Sequence, residues 1–250
     1  MVAIVIVVAG VTVALISRSR GSAPVSSSLP APSDAAFVVR HPPKLQMGER
    51  VAAWAPVRRP IVARAAPRPG AEVVAQVSEL TPEGTGNLVQ VLGRRRAAGN
   101  LWLDVRLPSG AAEQRGWVPR PALGGYGFVH TRLVVDEARL RAVLLRDGHP
   151  VFAAPVGIGA AGTPTPRGKF YVRNRLTRYA SPAYGPIAFG TSARSDQLTD
   201  WPAGGFIGIH GTDRPDLLPG RVSHGCIRMR NRAIRHLDRL MPVGTPLTIR

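Results

Sequence analysis

Cys226 is the only cysteine in the 250 residues, and it stands in the run Ser223-His224-Gly225-Cys226-Ile227-Arg228-Met229. A solitary thiol has no internal partner for a disulfide, which leaves nucleophile, ligand or inert core residue. It attacks only as thiolate, and an ordinary pKa of about 8.5 keeps it mostly protonated at neutral pH. A nearby imidazole can take the proton and later return one to a leaving amine. Two histidines could serve. His224 is two residues from Cys226, so in an extended strand the two side chains would share a face. His210, in Ile209-His210-Gly211-Thr212, lies sixteen positions before Cys226. It reaches the thiol only if the intervening loop doubles back, which Asp213-Arg214-Pro215-Asp216 and Leu218-Pro219-Gly220 favour. Gly225 lets backbone approach a substrate closely, and the N–H groups of Gly225 and Cys226 could form an oxyanion hole. Taken alone the His-Gly-Cys tripeptide is weak, because an isolated cysteine is more often a small buried hydrophobe.

A zinc reading would recruit His210, His224, Cys226 and His236. The chain has no CxxC or HExxH spacing, and His236 falls inside an amphipathic helical pattern, so no metal is expected. That pattern follows the cysteine directly. Asn231 reads as the N-cap of a helix that buries Ile234, Leu237, Leu240 and Met241 and ends at Pro242 and Gly244. The helix would brace the cysteine segment from behind.

The rest of the chain reads as short strands. Arg132–Asp136 and Ala142–Arg146 are strand patterns, and Asp147-Gly148 is a hairpin turn before His149–Val156. Thr163–Gly168 is a rigid turn leading into Lys169–Val172. Between Val51 and Leu123, five short apolar runs alternate with Pro/Gly turns, a pattern of a small barrel. A Trp-Leu-x-Val strand at Trp102, a turn, and Gly116-Trp117-Val118 resemble bacterial SH3-like domains. Gly and Pro are abundant (27 and 24) and aromatics few, which favours a mainly β fold.

The formal charge is +18 with a pI near 11.7, which points to an anionic partner: a membrane surface, a wall polymer or nucleic acid. Arginines are spread along the chain, without a basic stripe interleaved with aromatics or a reader motif, so nucleic acid is not expected. Val2–Ile16 is an unbroken apolar and small-residue run, about 22 Å long as a helix, which is short of a ~30 Å hydrocarbon core and reads as a signal or a trimmed anchor. Arg18 and Arg20 follow the run where a signal would carry charge before it. The expectation is a basic segment upstream of this start. Gly21–Ala36 has the Ser/Pro/Ala composition of a tether.

The double motif, Ile209-His210-Gly211-Thr212, twelve residues 211–222, then Ser223–Met229, resembles the signature of L,D-transpeptidase (YkuD-like) catalytic domains. Thr163–Phe170 and Tyr184-Gly185-Pro186-Ile187-Ala188-Phe189-Gly190 also resemble that family. The resemblance covers about 127–250 and implies a β-sandwich catalytic domain with a few short helices. The expected organisation is 1–20 signal or anchor, 21–50 linker, 51–123 SH3-like barrel and 127–250 catalytic domain.

By resemblance, Cys226 is the nucleophile and His210 the general base, with the Gly211 carbonyl holding the imidazole tautomer. His224 and Ser223 line the site, and Gly225 and Cys226 supply oxyanion donors. Arg228 falls where many members carry Asn, and either binds a substrate carboxylate or is structural. Tyr184 either borders the donor groove or packs.

The implied reaction is acyl transfer on peptidoglycan stem peptides through a thioester, releasing D-Ala and making 3→3 cross-links. No cofactor is implied, and carbapenem-type inhibitors would acylate the thiol. The implied location is the wall or periplasmic space, with a membrane anchor at the N-terminus as one arrangement. The alternatives are the same thioester resolved by water or a free D-amino acid, and a wall-binding protein without catalysis.

Overall fold

The structure is a computed structural model that describes residues 50–108, 113–178, 181–195 and 205–250. The expected signal or anchor segment, and the linker up to 49, lie outside the described residues. Among the described residues, no helix is long and apolar enough to cross a membrane.

The chain is mainly β, as its composition implied, with a single α-helix among the described residues. A first sheet holds β1 (Ala52–Pro56), β2 (Ile61–Arg64), β3 (Val73–Val77), β4 (Leu88–Ala97), β5 (Asn100–Arg106), β6 (Arg115–Pro119) and β7 (Gly127–Val129), in the order β3-β2-β6-β5-β4-β1-β7. The alternation seen in sequence becomes alternate burial, with Ala53, Ala55, Ala63, Val89, Val91, Leu103, Val105 and Val118 facing one core. The sheet has seven strands where the sequence suggested five, because β1 and the three-residue β7 also pair. The expected start of the second module at Gly127 therefore falls inside the first sheet. Three residues carry too little periodicity to declare their partner.

The second sheet contains β8 (Thr131–Asp136), β9 (Arg141–Arg146), β10 (His149–Pro155), β11 (Gly157–Gly159), β12 (Gly168–Leu176), β13 (Ala188–Arg194), β14 (Phe206–His210), β15 (Gly220–Ser223), β16 (Ile227–Arg228) and β17 (Pro246–Ile249). Their order is β10-β9-β8-β17-β12-β13-β14-β16-β11-β15. The strip curls at β12, whose first half pairs with β17 and whose second half, past an irregularity between Val172 and Asn174, pairs with β13.

Curling encloses a core of Leu133, Val135, Leu144, Phe170, Ile207, Ile209, Ile227, Met229 and Leu247. Each such side chain contributes about 1.5–3 kcal/mol of burial. Helix α1 (Asn231–Leu240) seals it with Ile234 and Leu237. The β8–β9 and β9–β10 hairpins include the expected turn, with Asp147 and Gly148 at φ 51° and 86°, the left-handed pair that a two-residue hairpin needs.

The sheets are joined by polar contacts. Tyr171 is fully buried and its hydroxyl donates to the Leu88 carbonyl (3.0 Å). Arg173 and Glu83 form an ion pair at 3.3 Å with side chains 1% and 6% exposed. Arg173 Nε donates to the Thr191 carbonyl (2.9 Å), and its guanidinium lies 3.8 Å over the Phe206 ring. Asn174 Nδ2 donates to Glu83 Oε2 (3.0 Å) and to Thr81 and Thr85 hydroxyls, while its Oδ1 accepts from Gly190 N–H (2.9 Å). The Thr81–Thr85 turn is thus gripped by β12, beside the first residue of β14.

Candidate active site

His210 ends β14, a strand buried along its whole length between β13 and β16. The run Phe206-Ile207-Gly208-Ile209 is near-continuously apolar because neighbours cover both faces. The imidazole is 1% exposed. Its Nδ1 lies 2.6 Å from the Gly211 carbonyl oxygen. A carbonyl only accepts, so Nδ1 carries the hydrogen and Nε2 of the neutral ring is the basic nitrogen. Burial lowers the pKa of His210 to about 4; the Gly211 carbonyl raises it, while the Arg228 charge lowers it further. At neutral pH the ring is neutral.

Several contacts hold this imidazole. Arg228 is its cross-strand partner on β16, and Met229 N–H donates to the His210 carbonyl (2.8 Å). Tyr184 packs edge-on, with ring centroids 4.9 Å apart at 83°. Gly211 and Gly185 approach so closely that a Cβ on either would come within 2.3 Å of Asn231 Oδ1 and 3.0 Å or less of the other's Cα. Asn231 Oδ1 accepts from Thr212 N–H at 3.0 Å.

The expected cap is therefore corrected: Asn231 is the first residue of α1, Arg230 is the N-cap residue, and no side chain caps the helix. The Asn231 amide instead fixes the chain just after the base. A helix-start signal cannot distinguish those two uses of one amide.

Cys226 lies in the turn between β15 and β16, 6% exposed. Its sulfur accepts a hydrogen bond from Gly208 N–H at 3.3 Å, a contact that supports negative charge on sulfur. Gly208 is two residues before His210 on β14, roughly 7 Å of backbone, so one strand carries both the donor to the thiol and the buried imidazole. The loop between doubles back as the sequence suggested: β14 and β16 run parallel, with Ile209 opposite Ile227.

Hydroxyl groups cinch the turn. Ser223 Oγ donates to the Cys226 carbonyl (2.6 Å) and accepts from Gly225 N–H (3.1 Å). Thr165 Oγ1 donates to the Gly225 carbonyl (2.8 Å) and accepts from Gly159 N–H (2.9 Å), and Thr163 Oγ1 donates to the Ser223 carbonyl (3.1 Å). Gly225 has φ +117°, and a Cβ there would meet Ile207 Cδ1 at 3.0 Å, so glycine is required.

Of the two expected oxyanion donors, Gly225 N–H is thus engaged by Ser223. His224 is exposed, unlike His210. Arg228 is half-buried, and its Nε has no hydrogen-bond partner among the described residues. Thr163, Thr165 and Asn231 are site-building residues that the motif reading did not name. The threonines stood in a turn and in a run that resembles the family, but nothing in the sequence tied them to the turn they hold sixty residues away. His236, weighed as a zinc ligand, lies on α1, edge-on to Phe152 at 5.5 Å. Among the described residues, no group of three or more His, Cys, Asp or Glu is placed to hold a metal.

The L,D-transpeptidase catalytic-domain family (YkuD) matches residues 130–249. YqjB of Bacillus subtilis (strain 168), named as an L,D-transpeptidase, is 35% identical over 128 residues, 47% of this chain and 69% of that protein. The chain belongs to the L,D-transpeptidase family. YkuD of the same organism is 35% identical over 95 residues, 38% of this chain and 51% of YkuD. YbiS of Escherichia coli (strain K12) is 28% identical over 206 residues, 72% of this chain and 65% of YbiS. The chain spans about half the length of the YkuD relatives it matches. The family match begins at His130, one residue before β8, and it contains the whole Cys226–His210 arrangement.

Proposed function

We propose that the chain is a cysteine L,D-transpeptidase acting on peptidoglycan stem peptides. The observation that carries the reading is the pairing on β14: a sulfur held by Gly208 N–H, two residues from a neutral imidazole whose Nδ1 is committed to the Gly211 carbonyl. In the first step His210 Nε2 takes the Cys226 proton. The sulfur adds to the carbonyl carbon of the third stem residue, a diamino acid linked through its L-centre, and the carbonyl π electrons move to oxygen. Cys226 N–H faces the developing oxyanion. Collapse breaks the bond to the terminal D-Ala, whose nitrogen takes the proton from His210 and leaves as the amine.

The thioester is then attacked by an amine on a neighbouring stem. His210 removes a proton from that amine, the carbon–sulfur bond breaks, and the thiolate is reprotonated. The product is a 3→3 cross-link. A pKa of about 4 makes imidazolium a short-lived carrier, so each proton taken is passed on within the same half-reaction. Arg228, with its buried Nε, receives a substrate carboxylate. The substrate places the site outside the cytoplasm, in keeping with the apolar run at 2–16. The first sheet is read as an SH3-like module that associates with the wall.

The test is intact-mass measurement of the protein with a carbapenem. One adduct is expected on wild type and none on Cys226→Ala; no adduct on wild type, or one surviving in the variant, overturns the mechanism. Incubation with disaccharide tetrapeptide then identifies the acceptor: cross-linked dimer supports transpeptidation, whereas tripeptide or exchange product alone overturns it in favour of water or a D-amino acid.

A further inference from the structure

The face that the two sheets turn toward each other is cationic. Gln90 on β4 and Arg106 on β5 are cross-strand partners, so they share one face of the first sheet. Opposite them, Lys169 on β12 pairs with Thr248 on β17, which pairs with Val134 on β8. Arg132, two residues along β8, lies on that same face. Between the faces is a cavity of about 340 Å³ lined by Gln90, Arg106, Arg132, Lys169 and Thr248 among others. A neighbouring cavity of about 470 Å³ shares Arg132 and adds Arg50 and His130.

Arg106 is the telling residue. It is 8% exposed, and a buried guanidinium ordinarily has a carboxylate partner. Here Nε donates to Gln90 Oε1 (3.0 Å) and Nη1 to the Lys169 carbonyl (3.0 Å). Both acceptors are neutral, and among the described residues no acid lies within ion-pair distance of Arg106. Asp104 is taken by Arg115. Glu113 sits at 3.9 Å from Lys169 Nζ, with both side chains about half exposed, and Asp147 is paired to His130 at the far end. Burial draws the Arg106 pKa down from the usual arginine value and the Arg115 charge adds to this, while the Glu113 and Asp104 charges, acting from beyond ion-pair distance, oppose it only in part.

We propose that this double cleft is a binding site for a linear polyanion, a chain of phosphates joined by small polyols, with Arg106 as its deepest contact. Five cationic or protonatable side chains spread over two adjoining cavities suit repeated charges better than one ion. Among the described residues of the two linings there is no exposed Phe, Tyr or Trp: Phe170 is 3% exposed and belongs to the core, and the His130 ring is tied to Asp147, so the cleft lacks the large stacking faces that nucleic-acid bases use. Seated there, the polymer would anchor the protein without touching Cys226 or His210, since neither lines either cavity.

The test is calorimetric titration of the full chain at 0.15 M salt with a glycerol-phosphate decamer. Wild type is expected to bind, and Arg106→Gln to lose about tenfold or more, as expected for a charge-assisted contact. Should Arg106→Gln misfold, the double variant Arg132→Gln/Lys169→Gln, at one half-buried and one exposed position of the lining, is expected to give at least the same loss. Arg235→Gln/Arg239→Gln, which removes two charges from the exposed side of α1, is expected to bind within twofold of wild type. Equal loss in that variant overturns the site in favour of general attraction by net charge. An oligothymidylate or oligoglutamate of equal charge that binds as tightly overturns the ligand class, and so does inorganic phosphate matching the decamer at equal phosphate concentration. Cys226→Ala is expected to bind like wild type, which separates failure of this proposal from failure of the catalytic one.

Discussion

The end of β14 and the turn carrying the thiol each present an imidazole, one two residues from the Gly208 that holds the sulfur and the other two residues from Cys226 itself, and their surroundings differ. His210 is sealed among β13, β16, Tyr184 and the Gly185–Gly211 contact, with one nitrogen committed to a carbonyl. His224 has the shorter sequence separation from Cys226 but is exposed. A carbonyl that removes one tautomer, and burial that keeps the ring neutral, define a base more firmly than closeness along the chain.

The largest expected effect tests the sulfur that both rings could serve: Cys226→Ala abolishes carbapenem acylation and cross-linking, read by intact mass and product chromatography. Next, His210→Gln lowers the acylation rate by about 10²-fold or more, the usual contribution of a positioned general base; stopped-flow acylation measures it. If His224→Ala costs as much, the contrast between the two histidines collapses.

A smaller effect concerns pH. The folded-state pKa of His210 is displaced from 6.5 to about 4, so between those values the folded protein binds fewer protons than the unfolded chain. The resulting stabilisation, on the order of 3 kcal/mol, is complete above pH 6.5 and is lost as pH falls through about 4. Denaturation midpoints of wild type should therefore fall more steeply from pH 7 to 4 than those of His210→Gln. Acylation should likewise show no limb near 6.5 arising from this residue. The smallest expected effect is that of His224→Ala, less than about fivefold on acylation, since its side chain is exposed where that of His210 is sealed in the core.

Much of this site was legible because its chemistry sits in short runs. The Cys226 motif, the upstream His210 and the loop that doubles back are local patterns, and so are the Asp147-Gly148 turn and the apolar stripe of α1. What stayed hidden depends on contacts remote in sequence. Thr165 grips the Gly225 carbonyl from sixty residues away, and Asn231 spends its amide on Thr212 instead of on its own helix. Gly225 N–H, a natural oxyanion donor by position, is taken by Ser223. The parallel β14–β16 pairing has no local signature, because a two-residue strand shows no period. The first sheet was under-read for the same reason, since β7 gains its meaning only by lying against β1.

The grip of β12 on the Thr81–Thr85 turn bears on how this chain can be shortened. A fragment beginning at His130, where the family match begins, would keep Cys226, His210 and every strand of the second sheet. It would also keep Arg173 while discarding Glu83, leaving a guanidinium among apolar neighbours beside Phe206, at the root of the strand that holds His210. The family boundary is thus not a boundary of electroneutrality. A self-sufficient catalytic fragment would need its own substitute for that carboxylate, or an apolar residue at 173.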